Sequence, residues 1–286
     1  MIRKVVIPAA GMGTRLLSIT KEIPKEMLPL YVTNSSGEVC LKPVVQIVFE
    51  QLFNVGLREF CFIVGRGKRT IEDHFSPDYR YLNQLKVSGR VQAAEELEKF
   101  YNKIESSTIV WINQLGAKGF GHAVLQARSF TNEEPFIVHA GDTYIASKEE
   151  EHVRQVLRNH DDAVATLCLL PVKDTRHYGI AEIEGTKMPY RVKSVVEKPD
   201  NPPTNLAIMP VYLFTEEIYE AINRTRPGKA GEIQLTDGIQ NVIERQKRVV
   251  AYKLRNVLHL DIGTPESYWN AQRLSYKYFV NLKGII

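Results

Sequence analysis

The strongest constraint on the fold is the order of two short apolar runs and one amphipathic segment near the N-terminus. Residues 3–8 form an apolar run that ends at Pro8, and Phe60–Val64 is a second run of strand length. Residues 42–55 lie between them, and their apolar side chains recur on one face of a predicted helix. The order strand, helix, strand predicts a right-handed βαβ unit in a sheet whose strands are mainly parallel.

Further strand-sized apolar runs follow in both halves of the chain. They cover residues 108–112, 136–140, 163–170, 180–183, 192–196 and 207–214. The last four have few helical segments between them, which predicts a mixed sheet in the second half.

Three other segments favour helices. Residues 78–107 are polar and rich in charge, which predicts a solvent-exposed helical insertion, and residues 122–130 and 268–280 have helical patterns. We therefore expect an α/β fold with a Rossmann-like mixed, mainly parallel sheet flanked by helices and a helical C-terminus. A single domain is expected over residues 1–286, with halves at 1–145 and 146–286.

Composition excludes several classes of protein. The 286 residues carry a net charge of only +4, which demands neither a nucleic-acid partner nor a membrane surface but suits an anionic substrate. The longest apolar stretch, residues 163–172, is too short to span a bilayer. Cys40, Cys61 and Cys168 are too dispersed for a zinc ribbon or a disulfide framework, so a cytoplasmic enzyme is expected.

The loop Pro8–Pro29, which follows the first apolar run, carries the most chemistry. Its small residues would let backbone N–H groups approach a polyphosphate, and its cations would offset the phosphate charge. These residues are Ala9, Ala10, Gly11, Gly13, Thr14, Arg15, Lys21 and Lys25. A dinucleotide fingerprint fails because position 16 is leucine instead of the third glycine, and the spacing of a P-loop does not occur.

The loop instead reads G-x-G-T-R followed by K-x-x-P-K, from Gly11 to Lys25. This signature resembles that of the sugar-1-phosphate nucleotidylyltransferases. Other matching blocks are Ile23–Leu30, Gly116–Val124, Tyr178–Ile180, Val195–Pro199, Asn205–Ile208 and Gly231–Asp237. IPKEMLPL, AKGFGHAV and EIQLTD resemble the bacterial and archaeal UTP–glucose-1-phosphate uridylyltransferases, and the resemblance extends from Val5 to about Glu266.

The resemblance implies a reaction of UTP with glucose 1-phosphate that yields UDP-glucose and pyrophosphate, by in-line attack on the α-phosphate. It implies catalytic roles for Arg15, Lys25 and Lys198. The first half would bind the nucleotide through Ala9, Ala10, Gly11, Gly13, Thr14, Gln114 and Gly121. The second half would bind the sugar phosphate through Gly179, Glu197, Lys198, Asn205 and Thr236.

Two aspartates are candidates for a metal site. Asp142 follows the run at 136–140 and Asp261 follows a short apolar run at 257–260, and α/β sheets place ligands at such strand ends. Carboxylates of this kind suit Mg²⁺ bound together with phosphates. The family resemblance implies that Asp142 and Asp261 form the metal pair.

Three alternatives remain open. LDIGTP at Leu260–Pro265 resembles the thymidylyltransferase branch, so dTTP is an alternative nucleotide. A non-catalytic sugar-nucleotide-binding paralogue and a Rossmann dehydrogenase are the others. The expected partners are UTP and glucose 1-phosphate, without nucleic acid or membrane, and the resemblance implies a homodimer or homotetramer.

Overall fold

The computed structural model describes residues 2–158, 162–228 and 231–281. The first half contains β1 (Lys4–Pro8), β2 (Pro29–Thr33), β3 (Val39–Pro43), α1 (Val44–Asn54), β4 (Glu59–Val64), α2 (Arg69–His74), α3 (Tyr79–Val87), α4 (Val91–Glu105), β5 (Thr108–Asn113), α5 (Phe120–Gln126), α6 (Arg128–Thr131), β6 (Phe136–His139) and β7 (Thr143–Ala146).

The second half contains fewer helices between its strands. Its elements are α7 (Glu151–Arg158), β8 (Ala165–Pro171), β9 (Gly179–Glu184), β10 (Tyr190–Glu197), β11 (Leu206–Phe214), α8 (Glu217–Asn223), α9 (Leu235–Glu244), β12 (Val249–Lys253), β13 (Leu258–Asp261) and α10 (Pro265–Asn281). None of the described helices is both long and apolar enough to cross a membrane.

One large sheet joins the two halves. Within the described residues it has nine strands, in the order β5-β4-β1-β6-β11-β8-β12-β10-β9, and β11 also pairs with β9. The pairs β5–β4, β4–β1, β1–β6 and β8–β12 are parallel. The pairs that β11 makes with β6, β8 and β9, and that β10 makes with β9 and β12, are antiparallel.

The sheet is therefore mixed, and the expectation of mainly parallel strands holds only for the first half. Parallel neighbours need a long crossover, which the helices between β1, β4, β5 and β6 provide. No helix separates β8, β9, β10 and β11 within the described residues, and short connections favour antiparallel neighbours.

Both faces of the sheet are buried. Along β4, Phe60 and Phe62 pack on the side covered by α1 and α10, whereas Cys61 and Ile63 pack on the side covered by α5, α8 and α9. Successive strand residues point to opposite faces, so a strand covered on both sides needs a continuous apolar run. The sequence FCFIV meets this requirement.

The insertion at 78–107 differs from the exposed segment that was expected. It forms α3 and α4, and their inward side chains are buried. The ring of Phe100 on α4 lies 6.2 Å from that of Phe49 on α1 and 5.5 Å from that of Phe75. The insertion therefore extends the core, and only its outer faces are solvated.

Two helix boundaries also differ from expectation. The helix expected at 42–55 begins at Val44, because Lys42 and Pro43 pair with Leu30 and Pro29 in the β2–β3 hairpin. The helix expected at 122–130 is divided at Ala127 into α5 and α6.

Candidate active site

A continuous cleft follows the loops at the carboxyl ends of the parallel strands. Its first part, of about 610 Å³, is lined by the loops after β1, β4 and β5. The second part, of about 240 Å³, shares Gln114 with the first part. The third part, also of about 240 Å³, shares Asp142 with the second part. Asp261 joins the third part to a fourth of about 450 Å³. The cleft thus brings both halves of the chain to one site.

The centre of the cleft is an ion pair between Lys25 and Asp142. The Lys25 Nζ donates to Asp142 Oδ2, and their side chains are only 17% and 21% exposed. Burial opposes charge on both groups, but each stabilises the charge of the other. The pKa of Lys25 is raised because the attraction of Asp142 and Glu26 outweighs its burial, and the pKa of Asp142 is lowered in spite of its burial.

A two-stranded ribbon brings Asp261 to the same place. β7 pairs antiparallel with β13, and Asp261 is the register partner of Thr143, the residue after Asp142. The Gly263 N–H donates to Asp261 Oδ2 at 3.1 Å and orients the carboxylate. A Cβ built on Gly263 would lie 3.0 Å from Arg15 Nη2, so the Arg15 guanidinium also reaches this end of the ribbon.

The donor set suits a hard divalent cation that is shared with a ligand. Over the described parts of the chain no group of three or more His, Cys, Asp or Glu side chains is arranged to hold a metal by itself. Asp261 ends β13 and Asp142 immediately precedes the paired strand β7, and both carboxylates supply oxygen ligands. Mg²⁺ is often held by one or two carboxylates together with substrate phosphates and water, so this pair fits it.

The fourth and third parts of the cleft contain a second polar cluster at the end of β10. Thr236 Oγ1 donates to Glu197 Oε2 at 2.6 Å, and Lys198 Nζ lies 2.8 Å from Glu197 Oε1. Lys198 has a φ of 43°, a left-handed conformation that turns the chain after the strand. Gly179 leaves room for this cluster, because a Cβ there would lie 2.7 Å from Thr236 Oγ1 and would displace the hydroxyl.

Asn205 is placed apart from this cluster. It is exposed at the start of β11, and its carbonyl accepts from the Val172 N–H at 3.0 Å. It is not among the residues that line the four parts of the cleft described above. The geometry therefore groups Gly179, Glu197, Lys198 and Thr236 but leaves Asn205 outside.

Most of the expected nucleotide-binding residues in the loop after β1 line the cleft. Gly13 has a φ of 65°, and its carbonyl accepts from Thr20 Oγ1 at 2.8 Å, which closes the loop. Ala10, Gly11, Gly13 and Thr14 all line the second part of the cleft. Ala9 differs, because it is buried and its N–H donates to the Ile63 carbonyl at 2.8 Å. Its N–H is therefore not available to a ligand.

Gln114 lies where the first two parts of the cleft meet. Its side chain is 6% exposed, and Nε2 donates to the Gly119 carbonyl at 3.1 Å and contacts His122 Nδ1 at 2.9 Å. The amide is thus held firmly by the glycine-rich turn and by α5.

Gly121, which was expected to bind the nucleotide, has its backbone covered by another segment of the chain. It is buried, and its N–H donates to the Ile233 carbonyl at 2.9 Å. A Cβ at this position would lie 2.9 Å from the same carbonyl oxygen. Glycine is required here because the chain before α9 crosses directly over the turn.

Sequence reasoning missed a buried ion pair beneath the site. Lys68 Nζ donates to Glu26 Oε2 at 2.7 Å, and the two side chains are only 7% and 2% exposed. Burial raises the pKa of Glu26, while the Lys68 and Lys25 ammonium groups oppose the shift. The pair ties the loop after β4 to the turn that carries Lys25. A lysine directly after Gly65-Arg-Gly67, at a strand end, was the signal available in the sequence.

Comparison with known proteins gives a consistent family. Residues 4–277 match the family model described as nucleotidyl transferase. The UTP–glucose-1-phosphate uridylyltransferase of Bacillus subtilis (strain 168) is 38% identical over 270 residues, which cover 92% of this chain and 87% of that protein. The enzyme of the same name from Pseudomonas aeruginosa PAO1 is 34% identical over 284 residues, covering 97% of each chain.

The fold agrees with a solved relative. A crystal structure of UDP-glucose pyrophosphorylase complexed with UDP-glucose superimposes with a TM-score of 0.80 and 32% sequence identity, over 97% of this chain and 100% of that one. The sequence signature, the arrangement of the cleft and these relatives agree, and the chain belongs to the nucleotidyl transferase family, in its UTP–glucose-1-phosphate uridylyltransferase branch.

Proposed function

We propose that the protein transfers the uridylyl group of UTP to glucose 1-phosphate and releases pyrophosphate. The relatives named above support this reaction, as does one geometric observation. The Lys25–Asp142 pair stands where the part of the cleft lined by the loop after β1 meets the part that contains Glu197 and Thr236. A group bound at this junction touches both the nucleotide side and the sugar side.

The reaction needs positioning and charge neutralisation more than proton transfer. The second pKa of a phosphate monoester is near 6, so the phosphate of glucose 1-phosphate is already largely a dianion at neutral pH. One of its oxygens forms a bond to the α-phosphorus of UTP, and the bond from that phosphorus to the bridging oxygen breaks, so the electron pair leaves with pyrophosphate. The site must hold two anions in line and stabilise the developing charge.

Each side chain has a place in this scheme. Lys25 and Arg15 neutralise the triphosphate and the departing pyrophosphate. Lys198 pairs with the sugar phosphate, while Glu197, oriented by Thr236, accepts hydrogen bonds from glucose hydroxyls. Asp142 and Asp261 would hold Mg²⁺, which supplies charge neutralisation across the phosphates when bound.

The remaining expectations belong to the same proposal. Residues 1–145 bind the nucleotide and residues 146–286 bind the sugar phosphate, although Arg15 and Asp142 reach the sugar side and Glu232 lines the nucleotide side. Gly179 gives the sugar room near Glu197. Asn205 would contact the sugar phosphate from outside the polar cluster at the end of β10. A cytoplasmic homodimer or homotetramer completes the proposal.

The alternatives are less well supported. A Bacillus anthracis protein described as a putative glucose-1-phosphate thymidylyltransferase shares only 20% identity at a TM-score of 0.70, which is a likeness of fold alone. A non-catalytic paralogue would not need Lys25, Asp142, Lys198 and Asp261 together at one cleft. All four are present.

Pyrophosphate release tests the proposal. The protein is supplied with glucose 1-phosphate, Mg²⁺ and, separately, UTP, dTTP, CTP, ATP or GTP. We expect the highest kcat/KM with UTP. Equal or faster release with dTTP would move the protein to the thymidylyltransferase branch. If none of the five nucleotides gives pyrophosphate although UTP still binds, the result would support the non-catalytic alternative.

A further inference from the structure

The amide of Gln114 has no choice of orientation. The Gly119 carbonyl can only accept a hydrogen bond, so the amide atom 3.1 Å from it must be the nitrogen. The same nitrogen lies 2.9 Å from His122 Nδ1. The two hydrogens of Nε2 therefore have two acceptors within the protein, and neither is left for a ligand.

The remaining polar atom of the Gln114 side chain is the carbonyl oxygen, Oε1. Within the described residues no donor contacts Oε1, and the side chain lines both the first and the second parts of the cleft. Gln114 therefore presents an acceptor to a bound base.

His122 must be neutral and in one tautomer for this arrangement. An Nδ1 that accepts from Gln114 leaves the proton on Nε2. Gln126 Nε2 lies 3.4 Å from that nitrogen and donates to the His122 carbonyl at 3.3 Å, so it does not supply an acceptor for this proton. Burial and the Lys118 ammonium lower the pKa of His122, which favours the neutral ring. A protonated ring, or one with the proton on Nδ1, would donate toward Gln114 and oppose the amide hydrogen there.

We infer that His122 is a specificity-determining positioning residue, which accepts from Gln114 Nε2 and thereby makes Gln114 present its carbonyl oxygen to the nucleotide base. The inference rests on the proposed function and deepens it. His122 acts only through Gln114.

The arrangement selects among pyrimidines by the atom at ring position 3. Uracil carries an N3–H donor, which matches the presented oxygen, whereas cytosine carries an unprotonated N3, which would face that oxygen lone pair to lone pair. Thymine has the same N3–H as uracil, so His122 and Gln114 together separate UTP and dTTP from CTP. They do not separate UTP from dTTP.

Three variants test the inference, with kcat/KM measured for UTP and CTP. His122→Leu removes the acceptor and retains an apolar side chain, and we expect the UTP/CTP ratio to fall by roughly tenfold, the worth of one hydrogen bond. His122→Asn can place Oδ1 near the position of Nδ1 and should restore most of the ratio. Gln126→Leu, which alters the other side of the ring, is the control and should leave the ratio unchanged.

Parallel losses with UTP and CTP in His122→Leu, at an unchanged ratio, would show a merely structural role and overturn the inference. A wild-type protein that does not use UTP would instead contradict the proposed function. A second measurement is made on the wild-type protein, and His122→Asn serves only to assign the NMR signals of His122. The ¹⁵N NMR shifts of the wild-type imidazole should show protonated Nε2 and bare Nδ1, and a proton on Nδ1 would overturn the inference.

Discussion

The Lys25 ammonium lies directly against the Asp142 carboxylate, although the two residues are 117 positions apart in the sequence. In the proposed reaction both groups have other partners, since Lys25 contacts the phosphates and Asp142 would bind Mg²⁺. Each group also balances the charge of the other. This relationship predicts how the site responds when either member is changed.

Asp142→Asn should abolish most turnover without unfolding the protein. An asparagine keeps an oxygen toward Lys25 but loses the negative charge that a divalent cation requires. We expect kcat to fall by roughly 100-fold or more, as when other electrostatic groups are removed from active sites. Steady-state kinetics across Mg²⁺ concentrations, with circular dichroism to verify folding, measure this.

Asp162→Asn is the matched control, because that carboxylate is 80% exposed and pairs with Arg248. Activity like that of the wild type in Asp142→Asn would refute the metal assignment.

Lys25→Met should move the acidic limb of the pH–rate profile. In the wild type, Lys25 lowers the pKa of Asp142 against the effect of burial. Without the ammonium, burial remains and the pKa of Asp142 rises, so the acidic limb shifts to higher pH. We also expect kcat/KM at the optimum to drop by roughly 100-fold. The comparison is with Lys193→Met, since Lys193 is 51% exposed and pairs with Glu182. An unmoved acidic limb would argue against coupling between Lys25 and Asp142.

Lys68→Met should destabilise the protein because it leaves Glu26 buried without its partner. Loss of one member of a buried pair typically costs about 3 kcal/mol of unfolding free energy. Burial already raises the pKa of Glu26, and removal of Lys68 raises it further. The folded state then binds a proton more tightly than the unfolded state. The loss of stability therefore grows as the pH rises through the raised pKa.

Urea unfolding at pH 5 and pH 8 measures this effect. The double variant Glu26→Leu with Lys68→Met removes both charges, and should recover much of the loss seen at pH 8. If Lys68→Met were equally stable at the two pH values, the buried carboxylate would not be the cause.

The buried histidines should make the protein sensitive to acid. Burial lowers the pKa of His139 to about 4 and that of His152 to about 3, and the buried Nε2 atom of each ring has no hydrogen-bond partner among the described residues. The unfolded state takes up protons below about pH 6.5, while the folded state does not. Each ring therefore removes stability as the pH falls from about 6 toward 4, by about 1.4 kcal/mol per pH unit.

Replacement of one histidine should flatten this slope. Unfolding free energies of His152→Leu, measured from pH 4 to pH 7, should vary less steeply than those of the wild type. His177→Leu should keep the wild-type slope, since His177 is exposed. A slope in His152→Leu as steep as in the wild type would assign the acid sensitivity to other groups.

Local patterns in the sequence predicted a good part of this molecule. The apolar runs at β1 and β4, the helix between them and the small residues of the following loop depend on neighbours close in sequence, so their positions could be read directly. The signature from Gly11 to Lys25 identified the loop that lines the cleft for the same reason.

Contacts between distant segments could not be predicted in this way. The approach of Asp261 to Asp142 depends on the pairing of β13 with β7, and the burial of Gly121 depends on where the chain crosses before α9. The pair Glu26–Lys68 joins residues 42 positions apart that carry no common motif. Strand direction in the second half likewise follows from which strands become neighbours, which periodicity does not reveal.

The most direct test of the central claim is the formation of UDP-glucose itself. Wild-type protein is incubated with UTP, glucose 1-phosphate and Mg²⁺, and the nucleotide products are separated and quantified together with pyrophosphate. We predict equal amounts of UDP-glucose and pyrophosphate, and almost none of either when glucose 1-phosphate is omitted or Asp142 is replaced by asparagine. Pyrophosphate formed without UDP-glucose, or no product from a folded wild-type protein, would contradict the account.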